Sequence, residues 1–506
     1  MMKTWNDAIA VLKNKRDALY LSGYIEKKEK QYKNGKKDAR ERIRILFDEN
    51  TFREIDDLTM DTRTNQESIG EGVVCGYGKI NGKMVFVISQ DFTVIGGTVG
   101  EKHAKKIKHI QKLAIKMKKP LIMINDSGGA RINEGSVALA GYGGILHLHT
   151  IASGYIPQIA IVLGPCSGGA CYSPGLCDFV FSVEQIGYMF LTGPAVVDEC
   201  IGEKCTMKEL GGVDMHSKES GVVHFKYKSE TQCMQNVREL LSYLPENCEQ
   251  FPGKRKFSYI KRDIDIKKIV PDNLRKIYDI KKIIDYIFDD SSFMEVQEEF
   301  AKNVVVGFGT LEGKCCGIIA NQPAVLAGAL DINASDKIAH FVRICDSFLI
   351  PIITLVDVPA FLPGTIQEQG GIIRHGAKIL YAFSEATVPK ISVILRKAYG
   401  GAYIAMNSIH IGADVVYAWP IAEIAVMGAE SAAKIVLKNA SKKMVQQYKN
   451  DYENQFLNPY EAASHGFVTS VILPEETRHK ILEALEILNS KNQEFCLKKK
   501  HGNMPV

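Results

Sequence analysis

The sequence lacks the patterns that mark several common classes of protein. It contains no run of 18 or more uninterrupted apolar residues, so no membrane-spanning helix is predicted. Its 12 cysteines form no Cys-x-x-Cys motif, which argues against a zinc ribbon. They are scattered through apolar strands and glycine turns, so we predict reduced, buried thiols without a disulfide framework. Residues 1–7 lack a secretory apolar core, and a cytoplasmic location is predicted.

The chain also lacks an excess of charge of either sign. It has 63 basic and 58 acidic residues, and a net charge of +5 does not favour nucleic acid as a partner. A basic stretch at residues 27–44 is interleaved with acidic residues. We interpret this stretch as a solvated helical face; docking of a partner or of nucleotide-like phosphates is the alternative. A length of 506 residues allows two large domains.

Glycine pairs, by contrast, occur twice at the end of an apolar run. The first is Pro165-Cys166-Ser167-Gly168-Gly169-Ala170, and the second is Ala398-Tyr399-Gly400-Gly401-Ala402-Tyr403. A Gly-Gly turn between a strand and a helix lets backbone N–H groups approach a developing negative charge closely. Two such turns indicate two anion-stabilising holes. Glycines that serve only close helix–sheet packing are the structural alternative.

The spacing of other landmarks predicts an internal duplication. Gly82 and Gly313, in two predicted hairpin turns, lie 231 residues apart, and so do Asp126 and Asp357 at two strand ends. The Gly-Gly turns lie 232 residues apart. The offset grows to 241 further upstream, which predicts about ten extra residues in the first copy near residues 60–68. One fold used twice explains this register.

Each copy alternates predicted strands and helices, which indicates the α/β class. In the first copy we predict strands at residues 72–80, 83–89, 121–125, 158–163 and 179–183, with helices at 100–116 and 136–153. In the second copy we predict strands at residues 304–311, 315–320, 352–356 and 390–395, with helices at 335–348 and 371–385. Residues 251–271 are rich in charge and are predicted to form the linker.

Several short motifs that resemble known sites are better explained by their surroundings. Residues 125–129 resemble the nucleophile loop of trypsin-like proteases, but they end a strand of an α/β chain. Residues 114–117 mimic a biotin-attachment tetrapeptide but end an amphipathic helix. Four histidines lack metal-ligand spacing and are interpreted as core or rim residues: His147, His149, His375 and His410. Three charged residues are placed in loops near the strand ends and are either binding groups or structural ion pairs: Arg131, Glu134 and Glu368.

Longer motifs give the chain a specific resemblance. The runs at residues 90–97, 125–132 and 164–174 look like the first half of the biotin-dependent acyl-CoA carboxyltransferase family. Its second half is matched by residues 331–333, 361–364, 370–378, 396–403 and 417–428. The similarity extends from about residue 34 to residue 474. Within the family, the chain resembles three kinds of subunit: propionyl-CoA carboxylase beta, methylmalonyl-CoA decarboxylase alpha and the transcarboxylase large subunit.

The resemblance implies tandem crotonase-like (ClpP/crotonase) β-β-α superhelix domains. Residues 1–255 would bind an acyl-CoA, and residues 256–506 would receive biotin from a separate carrier protein. The family forms homo-oligomers, with hexamers whose sites lie between the first domain of one subunit and the second domain of another. Implied partners are a biotin carboxyl carrier protein and a biotin carboxylase subunit, or a membrane decarboxylase subunit. No metal is implied.

The resemblance also assigns residues. Amides at Gly168 and Gly169 would hold the thioester oxygen, and amides at Gly401 and Ala402 would hold the ureido oxygen of biotin, so no side-chain base is needed. The expected substrate-binding residues are Gly128, Gly129, Ala130, Arg131, Ala170, Tyr172 and Ile404. The expected biotin-binding residues are Phe361, Leu362, Gly364, Gly400 and Tyr403.

Three functions follow from these patterns. The first is carboxylation of a short-chain acyl-CoA, with propionyl-CoA and methylmalonyl-CoA as the pair and acetyl-CoA as a further substrate. The second is the reverse half-reaction in a methylmalonyl-CoA decarboxylase or a transcarboxylase. The third is a crotonase-fold protein that does not use biotin. Two positions depart from the family pattern. The position of Ile404 holds an acidic residue in many propionyl-CoA carboxylases, and Ala360 stands where the family usually has glycine.

Overall fold

The computed structural model describes residues 4–21, 24–60, 70–260, 265–274, 276–438, 440–491 and 500–505. The chain forms two compact units, Met1–Gln250 (unit 1) and Phe251–Val506 (unit 2). The domain boundary predicted from the sequence lies five residues further along. Most of the ten extra residues predicted near residues 60–68 lie outside the described part of the chain.

Unit 1 is built on an eight-stranded sheet. Its order is β1-β2-β3-β4-β5-β6-β8, and β7 pairs with the far end of β5. The first three strands are antiparallel, and the remaining pairs are parallel. The strands are β1 (Arg53–Ile55), β2 (Val73–Ile80), β3 (Lys83–Gln90), β4 (Leu121–Ser127), β5 (Gln158–Ser167), β6 (Phe179–Val183), β7 (Tyr188–Phe190) and β8 (Phe225–Tyr227).

Helices cover this sheet and pack on one another. The helix after β3 packs against β2, β3 and the helix after β4. The helices of unit 1 are α1 (Trp5–Leu21), α2 (Tyr24–Lys33), α3 (Ala39–Leu46), α4 (Glu101–Met117), α5 (Ser136–Ala152), α6 (Tyr172–Gly175), α7 (Pro194–Ile201), α8 (Met207–Gly211), α9 (Val213–Lys218) and α10 (Glu230–Tyr243), with 3-10 turns at Ile95–Gly97, Ile132–Glu134 and Gly168–Cys171.

Unit 2 repeats the same sheet. Its order is β16-β14-β13-β12-β11-β10-β9, and β15 pairs with the far end of β13. The strands are β9 (Met294–Val296), β10 (Val304–Leu311), β11 (Lys314–Asn321), β12 (Ile352–Val358), β13 (Lys390–Tyr399), β14 (Val415–Ala418), β15 (Glu423–Ala425) and β16 (Ser470–Val471). The helices are α11 (Lys281–Ile287), α12 (Ile332–Ser347), α13 (Thr365–Gly370), α14 (Ile372–Glu385), α15 (Gly400–Ala405), α16 (Ala429–Val436), α17 (Lys442–Phe456), α18 (Pro459–Ser464) and α19 (Thr477–Ile487), with 3-10 turns at Ile266–Lys268, Leu326–Gly328, Ile409–Ile411, Pro474–Glu476 and Leu488–Ser490.

The predicted duplication is confirmed down to single side chains. Lys106 of α4 and Lys337 of α12 are 231 residues apart, both are buried, and both donate from Nζ to backbone carbonyls. Gln90 and Asn321 each accept the amide N–H of the aspartate next to the last residue of the neighbouring strand, at 3.2 Å. The two copies therefore share hydrogen bonds as well as topology, and the prediction of tandem crotonase-like α/β domains is confirmed.

Burial corrects two interpretations of the sequence. Ile266 and Val270 lie in the core of unit 2, so the predicted linker at residues 251–271 is wrong over its last part. The basic stretch is not wholly solvated, because Arg42 is 1% exposed.

Of the 11 described cysteines, all of which are free thiols, seven are buried and Cys200 is exposed. No helix in the described ranges is long and apolar enough to cross a bilayer.

Candidate active site

The two Gly-Gly turns have the same backbone geometry. Ser167 and Tyr399 end their strands in extended conformation, each with φ of −115°. The next residues, Gly168 and Gly400, have φ of +63° and +56°, which glycine adopts at little cost, and the chain then turns into a 3-10 turn or into α15. The first N–H groups of a helical turn have no partner within it, so each turn presents backbone donors.

The second glycine of each turn is not explained by the backbone. Gly169 and Gly401 lie outside the positive-φ set. A Cβ on Gly169 would lie 3.5 Å from Cγ of Tyr142, an ordinary contact, and a Cβ on Gly401 would meet no atom within 4 Å. Close helix–sheet packing therefore does not account for Gly401. The space that a side chain of Gly401 would fill is open.

A second loop lies against each turn. In unit 1, a Cβ on Gly129 would approach the Ser167 carbonyl oxygen to 3.0 Å, so this loop packs directly on the end of β5. Val99 N donates to Gly129 O at 2.9 Å, and Arg131 N donates to Val99 O at 3.0 Å. The same ladder recurs in unit 2, where Leu330 pairs with the backbone on either side of Phe361. Ala360 accepts there from Leu330 N at 3.1 Å, so its replacement of glycine leaves this ladder intact.

Arg131 and Glu134 are engaged in a structural network. Arg131 Nη1 lies 2.9 Å from Oε2 of Glu71 and 2.9 Å from Oε1 of Glu134, and Nη2 donates to Thr98 O. Glu134 also accepts the N–H of Glu101 at 2.6 Å, at the first residue of α4. These side chains hold the loop in place. Glu368 was predicted in a loop, but it lies within α13, so that prediction is wrong.

The predicted site residues fall into three groups by exposure. Buried residues can reach a ligand only through the backbone, half-buried residues line the turns, and exposed residues face solvent. The buried group is Gly129, Arg131, Ala170 and Ala402; the half-buried group is Gly168, Gly169, Ala130, Gly400, Tyr403, Phe361 and Leu362; the exposed group is Gly128, Tyr172, Gly364, Gly401 and Ile404.

A buried ion cluster behind the first turn was not anticipated. Asp126, at the end of β4, accepts from Lys36 Nζ at 2.7 Å and from Arg42 Nη1 at 2.8 Å. Arg42 also pairs with Glu230 at 2.9 Å and donates to the Leu163 carbonyl of β5. Burial opposes the charge of Arg42, but the two carboxylates outweigh it and raise the pKa of its guanidinium.

In unit 2 a different residue compensates the charge of the equivalent aspartate. Asp357 pairs with Arg396 Nε at 3.0 Å, and Arg396 belongs to β13 itself. At the equivalent position unit 1 has Gly164, where a Cβ would overlap the Asp126 carboxylate. Comparing the two copies in the sequence could have revealed this cluster. The first copy has the aspartate but lacks the arginine on the next strand, so its aspartate needs a cation from elsewhere in the chain.

Tyr399 and Glu423 form a further pair behind the second turn. The Tyr399 hydroxyl donates to the Glu423 carboxylate across the β13–β15 pairing. Burial raises the pKa of both groups. Burial also raises the pKa of Tyr403, on α15, to about 12, so this phenol stays neutral at physiological pH. In the described ranges, no group of three or more His, Cys, Asp or Glu side chains is arranged to hold a metal ion.

Comparisons with known proteins agree with this geometry. The carboxyl transferase domain family matches residues 30–504. The methylmalonyl-CoA decarboxylase subunit alpha of Veillonella parvula is 49% identical over 100% of both chains. The propionyl-CoA carboxylase beta chain of Roseobacter denitrificans is 46% identical, covering 99% of this chain and 100% of the relative.

A solved structure matches over the full length. It is a transcarboxylase 12S, described as a hexamer assembly with methylmalonyl-coenzyme A and methylmalonic acid bound. The TM-score is 0.96 at 44% identity, and the alignment covers 100% of both chains. The chain therefore belongs to the carboxyl transferase domain family and is a carboxyltransferase.

Proposed function

We propose that the protein moves a carboxyl group between biotin on a separate carrier protein and the α-carbon of a short-chain acyl-CoA. Propionyl-CoA and methylmalonyl-CoA are the proposed substrate pair, and acetyl-CoA is a further candidate. The observation that carries the proposal is the Gly-Gly turn that occurs once in each unit, with open space where a side chain of Gly401 would lie. Relatives named for propionyl-CoA and for methylmalonyl-CoA support the acyl group.

In unit 1 the amides near Gly168 and Gly169 are proposed to hold the thioester oxygen. When the α-carbon loses its proton, negative charge develops on that oxygen, and fixed N–H donors stabilise it without reorganising. Gly128, Gly129, Ala130, Ala170 and Tyr172 would shape the acyl-CoA site. Arg131 would act on the substrate through the loop that it holds.

In unit 2 the amides of Gly401 and Ala402 are proposed to hold the ureido oxygen of biotin. The donor set fits a neutral carbonyl oxygen, because the first N–H groups of α15 have no partner within the helix and no charged side chain is required. Carboxybiotin, when bound, would supply the carboxyl group, biotin would accept it in the reverse direction, and the ureido nitrogen can exchange a proton. Phe361, Leu362, Gly364, Gly400 and Tyr403 would exclude water around it, and Ile404 would present an apolar wall to the acyl group.

The relatives support two physiological directions for one half-reaction. A carboxylase would run from biotin to propionyl-CoA with a biotin carboxylase and a carrier protein. A decarboxylase would run from methylmalonyl-CoA to biotin with a membrane subunit, and the 49% identity to a decarboxylase alpha subunit favours keeping this candidate. A hexamer with sites shared between subunits is proposed for both. A cytoplasmic location stays a prediction.

The test is decarboxylation of methylmalonyl-CoA by the purified protein with free biotin, followed by mass spectrometry of the acyl-CoA. We expect biotin-dependent formation of propionyl-CoA. The Gly401→Ala variant should lose about 100-fold in turnover, because its methyl group obstructs the amide donors. The variant should keep its melting temperature, since the Cβ meets open space.

Gly143→Ala is the matched control. It also places a methyl group on a helix where no atom lies within 4 Å, and its turnover should be unchanged. Full activity of the Gly401→Ala variant would refute the role of the second turn, and absence of any biotin-dependent reaction in the folded wild-type protein would refute the function.

A further inference from the structure

The second Gly-Gly turn is supported on one side by β15. Tyr399, the last residue of β13, directly precedes the glycine pair, and among the described strands its register partner is Ala425 of β15. The pairing of β13 with β12 ends at Ala398, and its pairing with β14 ends at Ile394. Whatever fixes β15 on β13 therefore also fixes the residue from which the turn starts.

The chain that follows β15 lies against the turn itself. A Cβ on Gly400 would approach the Val426 carbonyl oxygen to 3.0 Å. A Cβ on Gly428 would lie 3.7 Å from Cε2 of Tyr399, so this ring packs against the start of α16. The backbone of residues 426–428 thus forms a wall behind the second turn.

A side-chain hydrogen bond joins the strand that carries this wall to the strand that carries the turn. The Tyr399 hydroxyl donates to Oε2 of Glu423, the first residue of β15, and both side chains are half-buried. Lys397 and Arg396 act on Glu423 only through longer-range charge, and no cation in the described part of the chain lies within ion-pair distance of it. A half-buried carboxylate held by a neutral hydroxyl is costly in desolvation. Stability alone therefore does not explain this pair.

The duplicated unit shows that the strand pairing does not need this bond. At the equivalent places Ser167 ends β5 and Tyr188 begins β7, in the same parallel register. The Tyr188 hydroxyl donates at 3.0 Å to the Gln185 carbonyl, within its own turn. The approach to the turn is also looser there, since a Cβ on Gly168 would lie 3.9 Å from the Leu191 carbonyl oxygen. The Tyr399–Glu423 bond is thus specific to the turn of unit 2.

The chemistry proposed at the second turn explains why such a bond would be kept. Backbone N–H donors stabilise an oxygen effectively only when they are already in place, because reorganising them during the reaction costs free energy. A working site needs its groups held to within about 0.5 Å by the residues around them. The Tyr399–Glu423 bond ties the residue before the turn to the strand before the wall, so the turn and the wall move together.

We propose that Tyr399 and Glu423 are positioning residues that hold the amides of Gly401 and Ala402 in place for the ureido oxygen of biotin. The proposal rests on the proposed function for the ligand at this turn. Neither side chain needs to touch biotin, because both act through the backbone that they join.

The first test measures hydrogen exchange by mass spectrometry in the intact oligomer, without any ligand. In Tyr399→Phe the amides of α15 and β15 should exchange about tenfold faster, as loss of a hydrogen bond to a charged group predicts. Residues 167–173, at the first turn, should exchange as in the wild type.

Tyr417→Phe is the matched control. This phenol, on β14 of the same sheet, also donates one hydrogen bond, to the Lys480 carbonyl at 3.2 Å. Its loss should leave exchange at α15 and β15 unchanged. Wild-type exchange rates at α15 and β15 in Tyr399→Phe would overturn the proposal.

The second test separates positioning of the turn from general stability. With methylmalonyl-CoA present, Tyr399→Phe should lower kcat/KM for free biotin about tenfold. Binding of propionyl-CoA, measured by calorimetry, should be unchanged, because the first turn is untouched. Equal losses in both measurements would point to general destabilisation and overturn the proposal, and so would unaltered biotin kinetics beside faster exchange.

Conservative replacement of the acceptor completes the test. Glu423→Gln keeps a carbonyl oxygen that can accept from Tyr399, so it should retain more of kcat/KM for biotin than Glu423→Ala. Tyr399→Phe/Glu423→Ala should lose no more than the worse of its two single variants, since both remove one bond. Equal impairment of the Gln and Ala variants, or additive losses in the double variant, would contradict the shared bond. Faster exchange in Tyr399→Phe of a protein without transferase activity would refute the proposed function but support the positioning of the turn.

Discussion

At the scale of single residues, burial determines which protonation state the fold accepts. His103 is fully buried on α4, with Nδ1 2.7 Å from the Glu71 carbonyl oxygen and Nε2 3.5 Å from Gln90. A neutral ring satisfies both contacts, donating from Nδ1 and accepting at Nε2. Burial lowers the pKa of His103 to about 3, so the folded protein keeps this ring neutral where the unfolded chain protonates it.

Acid should therefore destabilise the protein through His103. Between pH 6.5 and pH 3 the unfolded chain binds a proton that the folded protein does not, so stability falls as pH falls through this range. The full effect is of the order of 5 kcal/mol, at about 1.4 kcal/mol for each unit by which the pKa is lowered. Urea unfolding from pH 7 to pH 4 measures it, and His103→Gln, which removes the titrating group, should show a shallower decline. Identical slopes for wild type and variant would contradict this account.

At the scale of elements, α3 is held to the sheet by charge as well as by apolar contacts. Ala39, Ile43 and Leu46 bury the apolar face of the helix, and Arg42 on that face connects Asp126 of β4, Glu230 of α10 and the Leu163 carbonyl of β5. Both charged partners of Arg42 are at most 4% exposed. Removing the arginine would leave the buried Glu230 without its cation and Asp126 with Lys36 alone.

Arg42→Met should accordingly reduce the free energy of unfolding by about 3–5 kcal/mol, the cost of breaking a buried ion pair on one side. Arg44→Met is the matched control, since the Arg44 side chain is 79% exposed on the same helix and should change stability by less than about 1 kcal/mol. Urea denaturation of both variants and the wild type measures these changes in the free energy of unfolding. Equal stabilities would show that the ion cluster does not hold α3.

At the scale of the whole molecule, two copies of one fold have diverged around a shared turn. Unit 1 supplies the strand-end cation from Lys36 and Arg42, whereas unit 2 supplies it from Arg396. The Tyr399–Glu423 pair lies behind the second turn, and the first turn has Ser167 at the position of Tyr399. This divergence is what two different ligands, one for each unit, would require.

If each active site combines the first unit of one subunit with the second unit of another, two inactive variants should complement each other. Gly169→Val and Gly401→Val should each abolish turnover in a pure oligomer. Co-expressed with different tags and purified through both, they should form mixed oligomers in which some sites carry neither substitution. We expect partial recovery of biotin-dependent decarboxylation. Complete inactivity of an intact mixed oligomer would place both turns of a site within one chain.

Much of the architecture could be predicted because it depends on local patterns. Apolar runs ending in Asp126 and Asp357, the hairpin turns, and the 231-residue offset are all periodic or short-range signals. The predicted strands and helices of both copies are confirmed, with boundaries that shift by a few residues; β5 and β13 run on to Ser167 and Tyr399. Arg42 was misjudged because a charged residue on an amphipathic helix usually faces solvent, and its partners lie 84 and 188 residues away.

The sequence by itself determined the duplicated α/β fold, the two Gly-Gly turns and the family, since each depends on residue types at short or regular spacing. The tertiary structure alone decided which charges are buried and which glycine faces open space. Those properties arise where distant segments meet. Pairing of Lys36 and Arg42 with Asp126, or the space in front of Gly401, depends on packing that no single stretch of sequence contains.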